Sequence, residues 1–304
     1  MKVYLLTLLV YIASVFAQDQ SFYKDDPNII ELTPSNFDRV VHNTNYTTLV
    51  EFYAPWCGYC KQLKNTIHSL GKASDSIFQV AAVNCDKASN KQLCGEYGVE
   101  GFPTLKVFKP GKAGKTAVKK HASETYMGER KLAPLINFIK AKIKNHVKKL
   151  TSADMVSKLV NSQSSNKYAV VLFSKQSSIP VTYKSIAIDW LDRVKFYCYL
   201  NTKKTLVESL KSFESESAEI IGPLVDRIGK LSAGKDKSLL VLIDKEYQKI
   251  SVLEDKITKS NVAKFIIDNT SLKPKEGPYS KRDDYLAKLK LNKKKKTQVQ
   301  NDEL

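Results

Sequence analysis

The sequence is poor in the residues that build a metal centre. It contains five cysteines and four histidines in 304 residues. Apart from the single Cys57-x-x-Cys60 pair, it has no second Cys-x-x-Cys and no His-x₃-His. A structural zinc ion needs four such ligands at recognisable spacing. Zinc is therefore the disfavoured alternative for Cys57 and Cys60, and the sequence predicts neither a metal nor a cofactor.

Long hydrophobic runs are lacking as well, with one exception at the N-terminus. There Lys2 is followed by the largely apolar stretch Val3–Phe16, which ends in the small residues typical of a cleavage site at Ala17. This pattern predicts a secretory signal peptide over residues 1–17, and the run is too short for a comfortable membrane span. We therefore expect no stable membrane insertion and a compartment in which disulfides persist.

Acidic residues are few beside the basic ones: 31 Asp and Glu stand against 49 Lys and Arg, a net charge of +18. Such an excess can attract nucleic acid, acidic membranes or acidic proteins. The lysines are spread along the whole chain, however, and no RNA- or DNA-binding signature is present. We therefore expect no nucleic-acid partner and a solvated basic surface. The hydrophobic content of 42% suits ordinary globular cores, and the length suits two domains.

One short stretch, residues 49–60, carries the chemistry that the rest of the chain lacks. Residues 49–53 are apolar apart from Glu51, which predicts a buried strand with a lone carboxylate. A turn follows, and a helical pattern opens at Cys60. Cys57 would then lie in the first turn, where unpaired backbone N–H groups and the helix dipole stabilise a thiolate. The more buried Cys60 would attack any mixed disulfide at Cys57, so the pair is predicted to be redox-active.

The same stretch resembles the active-site sequence of the protein disulfide isomerase family, a group with the thioredoxin fold. Residues 50–60 are Val-Glu-Phe-Tyr-Ala-Pro-Trp-Cys-Gly-Tyr-Cys, and they depart from the family at Tyr59, where His is usual. The resemblance covers about residues 28–148 and points to the small fungal endoplasmic-reticulum members with one active domain. It implies a thiol–disulfide oxidoreductase that forms, reduces and rearranges disulfides in secretory-pathway proteins.

The resemblance also implies catalytic roles. Cys57 is the nucleophile, Cys60 is the resolving thiol, and Glu51 passes protons to and from Cys60. Burial of an acid in an apolar strand is expected to raise its pKa toward neutrality. A satisfied structural carboxylate is the alternative for Glu51. Many relatives carry a lysine where this chain has Ala82, so a cation that could pair with the glutamate is missing at that position.

Further residues are implied to contact the substrate or the thiols. Pro103 is cis in the family, as only proline readily allows, and the preceding Phe102 offers backbone hydrogen bonds to the substrate. Arg130 falls where the family has an arginine that lowers the pKa of the inner cysteine; an exposed arginine without a role is the alternative. Trp56 and Tyr59 are expected at the substrate-binding surface, although Trp56 alone could be a packing residue.

The remaining cysteines and two sequons suit an oxidising lumen. Cys85 and Cys94 are predicted to form a structural disulfide, and two buried free thiols are the alternative. Closing their ten-residue loop would stabilise the fold by on the order of 2–3 kcal/mol in the chain-entropy model. Cys198 is interpreted as a buried spectator. Asn45 and Asn269 begin Asn-x-Thr/Ser acceptors for N-glycosylation.

The predicted fold class is α/β with two thioredoxin-like domains, each a mixed central sheet flanked by helices. After a flexible N-terminus at 18–27, residues 28–148 form the catalytic domain in the order β-α-β-α-β-α-β-β-α, closing with a long helix over 131–149. Residues 149–272 repeat the order of elements without a Cys-x-x-Cys and are predicted to form a redox-inactive domain. Residues 273–304 are predicted to be a basic tail.

The last four residues, Asn301–Leu304, resemble the Lys-Asp-Glu-Leu retrieval signal of the endoplasmic reticulum, with Asn in place of Lys or His. We therefore expect a lumenal protein with a retrieval receptor. Its other expected partners are unfolded or disulfide-containing secretory proteins, with a lumenal oxidase, glutathione or chaperones as candidates. A second function class stays open: a lumenal chaperone or adaptor with little redox turnover, using an apolar patch near Trp56 and Pro103.

Overall fold

The computed structural model describes residues 21–111, 120–162, 166–216 and 218–278. The predicted signal peptide, most of the connection at 111–119, and the end of the tail with Asn301–Leu304 lie outside these residues. The chain forms two compact units that divide between Ile143 and Lys144. The sequence placed this boundary after residue 148. Within the described ranges, no helix combines the length and the apolarity that a membrane span requires.

The first unit is built on a five-stranded mixed sheet. Its strands are β1 (Ile30–Glu31), β2 (Thr48–Tyr53), β3 (Gln79–Asn84), β4 (Thr104–Lys109) and β5 (Ala122–Thr125). They lie in the order β1-β3-β2-β4-β5, and β2 runs parallel to β3 and antiparallel to β4. All six residues of β2 are buried. The apolar stretch around Glu51 is therefore the central strand, as a near-continuous apolar run predicts.

The helices of this unit confirm the predicted order of elements. They are α1 (Pro34–Phe37, continued by a π-helical turn at Asp38–His42), α2 (Gly58–Ser74), α3 (Lys91–Glu96, after a 3₁₀ turn at Ala88–Asn90) and α4 (Leu132–Ala141). Helix α2 begins before its expected start at Cys60, because Cys57 already has the extended backbone of an N-cap (φ −71°, ψ 122°). It ends at Asp75, whose left-handed backbone (φ 42°) stops the helix.

The second unit repeats the arrangement of the first. Its strands are β6 (Lys148–Leu150), β7 (Tyr168–Ser174), β8 (Lys195–Tyr199), β9 (Ser238–Asp244) and β10 (Lys249–Val252). Its helices are α5 (Ala153–Val160), α6 (Val181–Asp189), α7 (Lys204–Lys211), α8 (Ala218–Ala233) and α9 (Lys259–Thr270). The sheet order is β10-β9-β7-β8-β6, with β7 parallel to β8 and antiparallel to β9. This order is equivalent to that of the first sheet, so the prediction of a second thioredoxin-like fold is confirmed.

The predicted helix over 131–149 is wrong in its second half. Helix α4 ends at Ala141, and the chain then enters β6, which pairs in parallel with β8. Val147 and Leu150 are buried in the two hydrophobic clusters of the second unit. Two apolar residues three positions apart fit a helix face equally well, so the sequence alone could not distinguish the two structures. Pairing with β8 decides for the strand and assigns residues 144–148 to the second unit.

The described part of the predicted flexible N-terminus is packed against the first unit. Tyr23 is 2% exposed and Ile29 is 3% exposed. The chain passes close to α2 at Gly71, where a Cβ atom would lie 2.9 Å from Cγ1 of Ile29. Glycine is required there by this close approach. Residues 21–28 therefore form an N-terminal segment that is part of the folded unit.

Candidate active site

The central strand β2 leads directly into the two cysteines. Cys57 caps the N-terminus of α2, and Cys60 follows within the first turn of the helix. Both are free thiols in this structure; Cys57 is 9% exposed and Cys60 is fully buried. An incoming disulfide therefore reaches Cys57 first. The helix N-terminus also offers unpaired N–H groups that favour an anion at this position.

Cys60 is held in its protonated form at neutral pH. Burial is the main reason that the pKa of its thiol is raised to about 12. A backbone hydrogen bond from Ala54 opposes this rise, whereas the Cys57 thiol and the negative charge of Glu51 add to it. A protonated thiol is a poor nucleophile. Cys60 therefore needs a base before it can attack a sulfur atom.

Glu51 is the buried acid that can serve as this base. Its side chain is fully buried, and burial raises the pKa of the carboxyl to about 7. A hydrogen bond from Tyr23 and the positive charge of Arg130 limit the rise. Among the described residues, Oε1 of Glu51 has no hydrogen-bond partner. A carboxyl with a pKa near neutrality can both accept and return a proton under physiological conditions.

A cis-proline turn lies beside Cys57, and Arg130 is hydrogen-bonded to it. The peptide bond between Phe102 and Pro103 is cis. Sγ of Cys57 lies 3.6 Å from the carbonyl oxygen of Phe102, within range of a thiol–carbonyl hydrogen bond. The exposed Arg130 donates from Nη2 to the carbonyl oxygen of Pro103 over 3.1 Å. The structure thus brings the carbonyl oxygen of the cis bond to the predicted nucleophile, and Arg130 is hydrogen-bonded to the next carbonyl group along the chain.

Aromatic side chains are exposed next to the cysteines. Trp56 is 65% exposed and Tyr59 is 70% exposed. The Trp56 indole packs edge-on against the Phe102 ring, with the ring centres 5.9 Å apart. Its Nε1–H donates to Oδ1 of Asp86 over 2.9 Å. The hydrogen bond and the ring contact hold Trp56 in place while most of its surface remains open to solvent.

Comparison with known proteins decides the family. A family model described as thioredoxin matches residues 28–141. Protein disulfide-isomerase MPD1 of Saccharomyces cerevisiae is 44% identical over 284 residues, which are 90% of this chain and 88% of that protein. The chain belongs to the protein disulfide-isomerase family. It is a thiol–disulfide oxidoreductase of the isomerase type, as its active-site stretch predicted.

Matches to other known proteins span a smaller share of those proteins. A putative protein disulfide-isomerase of Dictyostelium discoideum is 30% identical over 86% of this chain, but the match spans 58% of that protein. Among solved structures, a crystal structure of ERdj5 covers 82% of this chain with a TM-score of 0.56 and 19% sequence identity, and the match spans 30% of that chain. At this identity the likeness concerns the fold alone.

The other cysteines of this isomerase-family chain are either paired in a disulfide or fully buried. Cys85 and Cys94 form a disulfide that joins the end of β3 to α3. Cys198 is a fully buried free thiol in β8, and burial raises its pKa to about 12. Among the residues that the structure describes, no three or more His, Cys, Asp and Glu side chains are grouped to hold a metal ion.

Two residues that touch the predicted isomerase site were not evident from the sequence. Tyr23 donates from its hydroxyl to Oε2 of Glu51 over 2.6 Å. Asp86, which follows the disulfide-bonded Cys85, accepts the hydrogen bond of Trp56. The aromatic pair Phe22-Tyr23 in a polar segment was the sole signal for Tyr23, and it carried no information about its partner. Both contacts join residues that are distant in sequence.

The two sequons differ in their surroundings. Asn269 is exposed in the last turn of α9, where its Nδ2 donates to the carbonyl oxygen of Phe265. Asn45 is half-buried in the loop before β2. Glycosylation at both positions stays a prediction. Asn269 is the more accessible of the two acceptors.

Proposed function

We propose that this chain exchanges disulfides in secretory-pathway proteins, with Cys57 as the nucleophile and Cys60 as the resolving thiol. The observation that carries the proposal is the layered arrangement of three groups. Cys57 is partly accessible at a helix N-terminus, Cys60 is buried behind it, and the buried carboxyl of Glu51 interacts with Cys60. This arrangement suits exchange, in which an accessible thiolate attacks a disulfide sulfur and a second thiol, once deprotonated, resolves the mixed disulfide.

The proposed reaction has two exchange steps. The Cys57 thiolate attacks one sulfur of a client disulfide, which forms a mixed disulfide and releases the other client sulfur as a thiolate. Glu51 then takes the proton of Cys60, and the resulting thiolate attacks Sγ of Cys57. The second client thiolate leaves and Cys57–Cys60 becomes a disulfide, so the client has gained the two electrons that the protein has lost. The reverse sequence oxidises a client dithiol.

Client binding is proposed to use the residues around Cys57. The carbonyl oxygen of Phe102 lies beside the nucleophile, where it can accept a hydrogen bond from a client backbone. The exposed faces of Trp56 and Tyr59 offer apolar area to an unfolded segment. Arg130, held against Pro103, is proposed to tune the charge at Glu51 and so the acidity of Cys60.

We infer the cellular location from two predicted terminal signal sequences. The predicted signal peptide and Asn301–Leu304 support residence in the lumen of the endoplasmic reticulum, with retrieval through a receptor for the C-terminal signal. Unfolded and disulfide-containing secretory proteins are the proposed clients. A lumenal oxidase or glutathione would restore the redox state of Cys57 and Cys60, and lumenal chaperones are further candidate partners.

Two measurements test the proposed function. We expect the full mature chain to reach a redox equilibrium with glutathione at Cys57 and Cys60, and to restore activity to scrambled ribonuclease. Alkylation followed by mass spectrometry measures the first, and the recovered ribonuclease activity measures the second. A chain that binds scrambled ribonuclease without restoring its activity would contradict the proposal. That result would favour the alternative, a lumenal chaperone or adaptor that uses the surface around Trp56.

The residue between the cysteines is expected to set the reduction potential. Tyr59 cannot carry a positive charge, whereas a histidine there can stabilise the Cys57 thiolate and so favour the reduced dithiol. We therefore expect Tyr59→His to raise the reduction potential by on the order of 30 mV, which is tenfold in the equilibrium constant. Oxidase activity should rise with it. The measurement is the redox equilibrium with glutathione, monitored by alkylation.

Tyr59→Phe is the matched control for this substitution. It keeps the exposed aromatic ring in the first turn of α2 and removes only the neutral hydroxyl. The potential of the control should stay close to that of the parent. If Tyr59→His leaves the potential unchanged, or if Tyr59→Phe raises it equally, the charge at position 59 does not tune this site.

A further inference from the structure

The residues opposite Glu51 in the two neighbouring strands have no polar side-chain groups. Across the sheet Glu51 is in register with Ala82 of β3 and with Leu105 of β4. Both neighbours are apolar and buried. A carboxylate in such surroundings is strongly disfavoured unless a hydrogen bond or a charge from elsewhere stabilises it. The side chains opposite Glu51 cannot donate a hydrogen bond, and the donor that the structure does place on it comes from outside β3 and β4.

The N-terminal segment, residues 21–28, supplies this donor through Tyr23. The Tyr23 hydroxyl donates to Oε2 of Glu51 over 2.6 Å, and the tyrosine side chain is almost completely buried. Burial and the charge of Glu51 both raise the pKa of Tyr23. The hydroxyl therefore keeps its proton over the whole physiological range, and it remains a donor to Glu51 at every pH at which the exchange reaction runs.

Several contacts hold Tyr23 in this position. The backbone N–H of Phe22 donates to the hydroxyl of Tyr53 over 3.0 Å, and the rings of these two residues stack. A carboxylate oxygen of Asp26 forms a hydrogen bond with Nδ1 of His68 on α2. The segment then crosses α2 at Gly71, where the chain approaches too closely for a side chain. Tyr23 is thus fixed at the back of the site by contacts that do not involve Glu51.

We propose that Tyr23 is a positioning residue for the proton transfer between Cys60 and Glu51. Its hydroxyl stabilises the carboxylate, so that Glu51 can take the Cys60 proton near neutral pH and the Cys60 thiolate can attack Sγ of Cys57. Among the described residues, the other titratable or charged groups that interact with Glu51 are Cys60 on α2 and Arg130 before α4. Arg130 acts in the same direction as Tyr23, but it is exposed to solvent, which screens its charge. This inference rests on the proposed function of Cys57 and Cys60.

We expect removal of the Tyr23 hydroxyl to shift the pH at which Glu51 loses its proton. Tyr23→Phe keeps the ring and its contacts with Phe22 and Tyr53, but Oε2 of Glu51 loses its donor. The carboxylate is then less favoured, so the pH midpoint of Glu51 should rise by about one unit or more, as expected for one hydrogen bond to a charged group. The rate at which a Cys57–glutathione mixed disulfide releases glutathione should show the same shift.

Tyr53→Phe is the matched control. It makes the same chemical change in a second buried tyrosine that anchors the same segment, but the Tyr53 hydroxyl donates to Glu31 over 2.6 Å. The midpoint of Glu51 should stay at the parent value in this variant. In a Glu51→Gln background, Tyr23→Phe should no longer change the pH profile of glutathione release, because no carboxyl remains to titrate.

Infrared spectroscopy of the reduced, full mature chain tests the inference without turnover. The carbonyl band of the protonated Glu51 carboxyl, assigned by its loss in Glu51→Gln, should persist to higher pH in Tyr23→Phe than in the parent. An unchanged midpoint in Tyr23→Phe would overturn the role of Tyr23. A parent chain that fails to exchange disulfides would contradict the proposed function instead, and it would leave the infrared midpoints as they are.

Discussion

Cys57→Ser is expected to abolish disulfide exchange, whereas Cys60→Ser is expected to leave the protein covalently attached to its clients. A serine hydroxyl is not ionised at neutral pH, so the first variant lacks a nucleophile. Its isomerase rate should fall by several orders of magnitude, the scale of loss seen when other enzymes lose their nucleophile. The second variant still forms the mixed disulfide at Cys57, but it lacks the Cys60 thiol that would attack this bond. Non-reducing gels and mass spectrometry would detect the trapped client.

Cys198→Ser is the matched control for the Cys60 variant. Cys60 and Cys198 are both fully buried thiols, and burial raises the pKa of each to about 12. They differ in their neighbours, because Cys60 lies beside Cys57 and Glu51 whereas Cys198 lies in β8 of the second unit. The control should exchange disulfides at the parent rate and trap no client. Exchange that survives in Cys57→Ser would show that the active thiol lies elsewhere.

The order of strands and helices could be predicted because the signals for it are local. The apolar run around Glu51 predicts the central strand, and the cysteine motif with its helical continuation predicts α2. The family resemblance then supplies the sheet. Two signals in the sequence were ambiguous, since Val147 and Leu150 fit a helix face as well as a strand. Strand β6 forms by pairing Lys148–Leu150 with Tyr197–Tyr199 of β8, a long-range contact that no local pattern encodes.

The sequence predicted those site residues whose type and local pattern indicate their chemistry. It did not predict the residues that join the site through a partner distant in sequence. Two cysteines spaced for exchange and a carboxyl in an apolar strand are unusual enough to be noticed in isolation. Ala82 showed that a cation is missing at its position, but it could not show which donor replaces it. Tyr23 and Asp86 acquire their partners only when the chain folds. Their own neighbours in sequence gave no sign of the contacts with Glu51 and Trp56.

Glu51→Gln is expected to make the protein more stable at alkaline pH and slower in exchange. The pKa of Glu51 is about 7 in the folded chain against an ordinary value of 4.5. Between these values the folded state keeps a proton that the unfolded state has lost, so the free energy of unfolding falls as pH rises through the folded pKa. At about pH 8 the buried charge costs roughly 3 kcal/mol, which a neutral glutamine avoids.

Two experiments on Glu51→Gln together separate a catalytic base from a structural acid. Urea unfolding should show the gain at about pH 8 and its disappearance below about pH 4.5, where the parent carboxyl is neutral in both states. Glu96→Gln, which changes an exposed acid on α3, should show no comparable gain. Release of glutathione from Cys57 should be slower than in the parent across neutral pH, since Cys60 has lost its proton acceptor. A variant that gains stability but releases glutathione at the parent rate would identify Glu51 as a structural carboxyl. A variant that is both more stable and slower has kept its fold and lost the acceptor of the Cys60 proton. That result would identify Glu51 as the catalytic base.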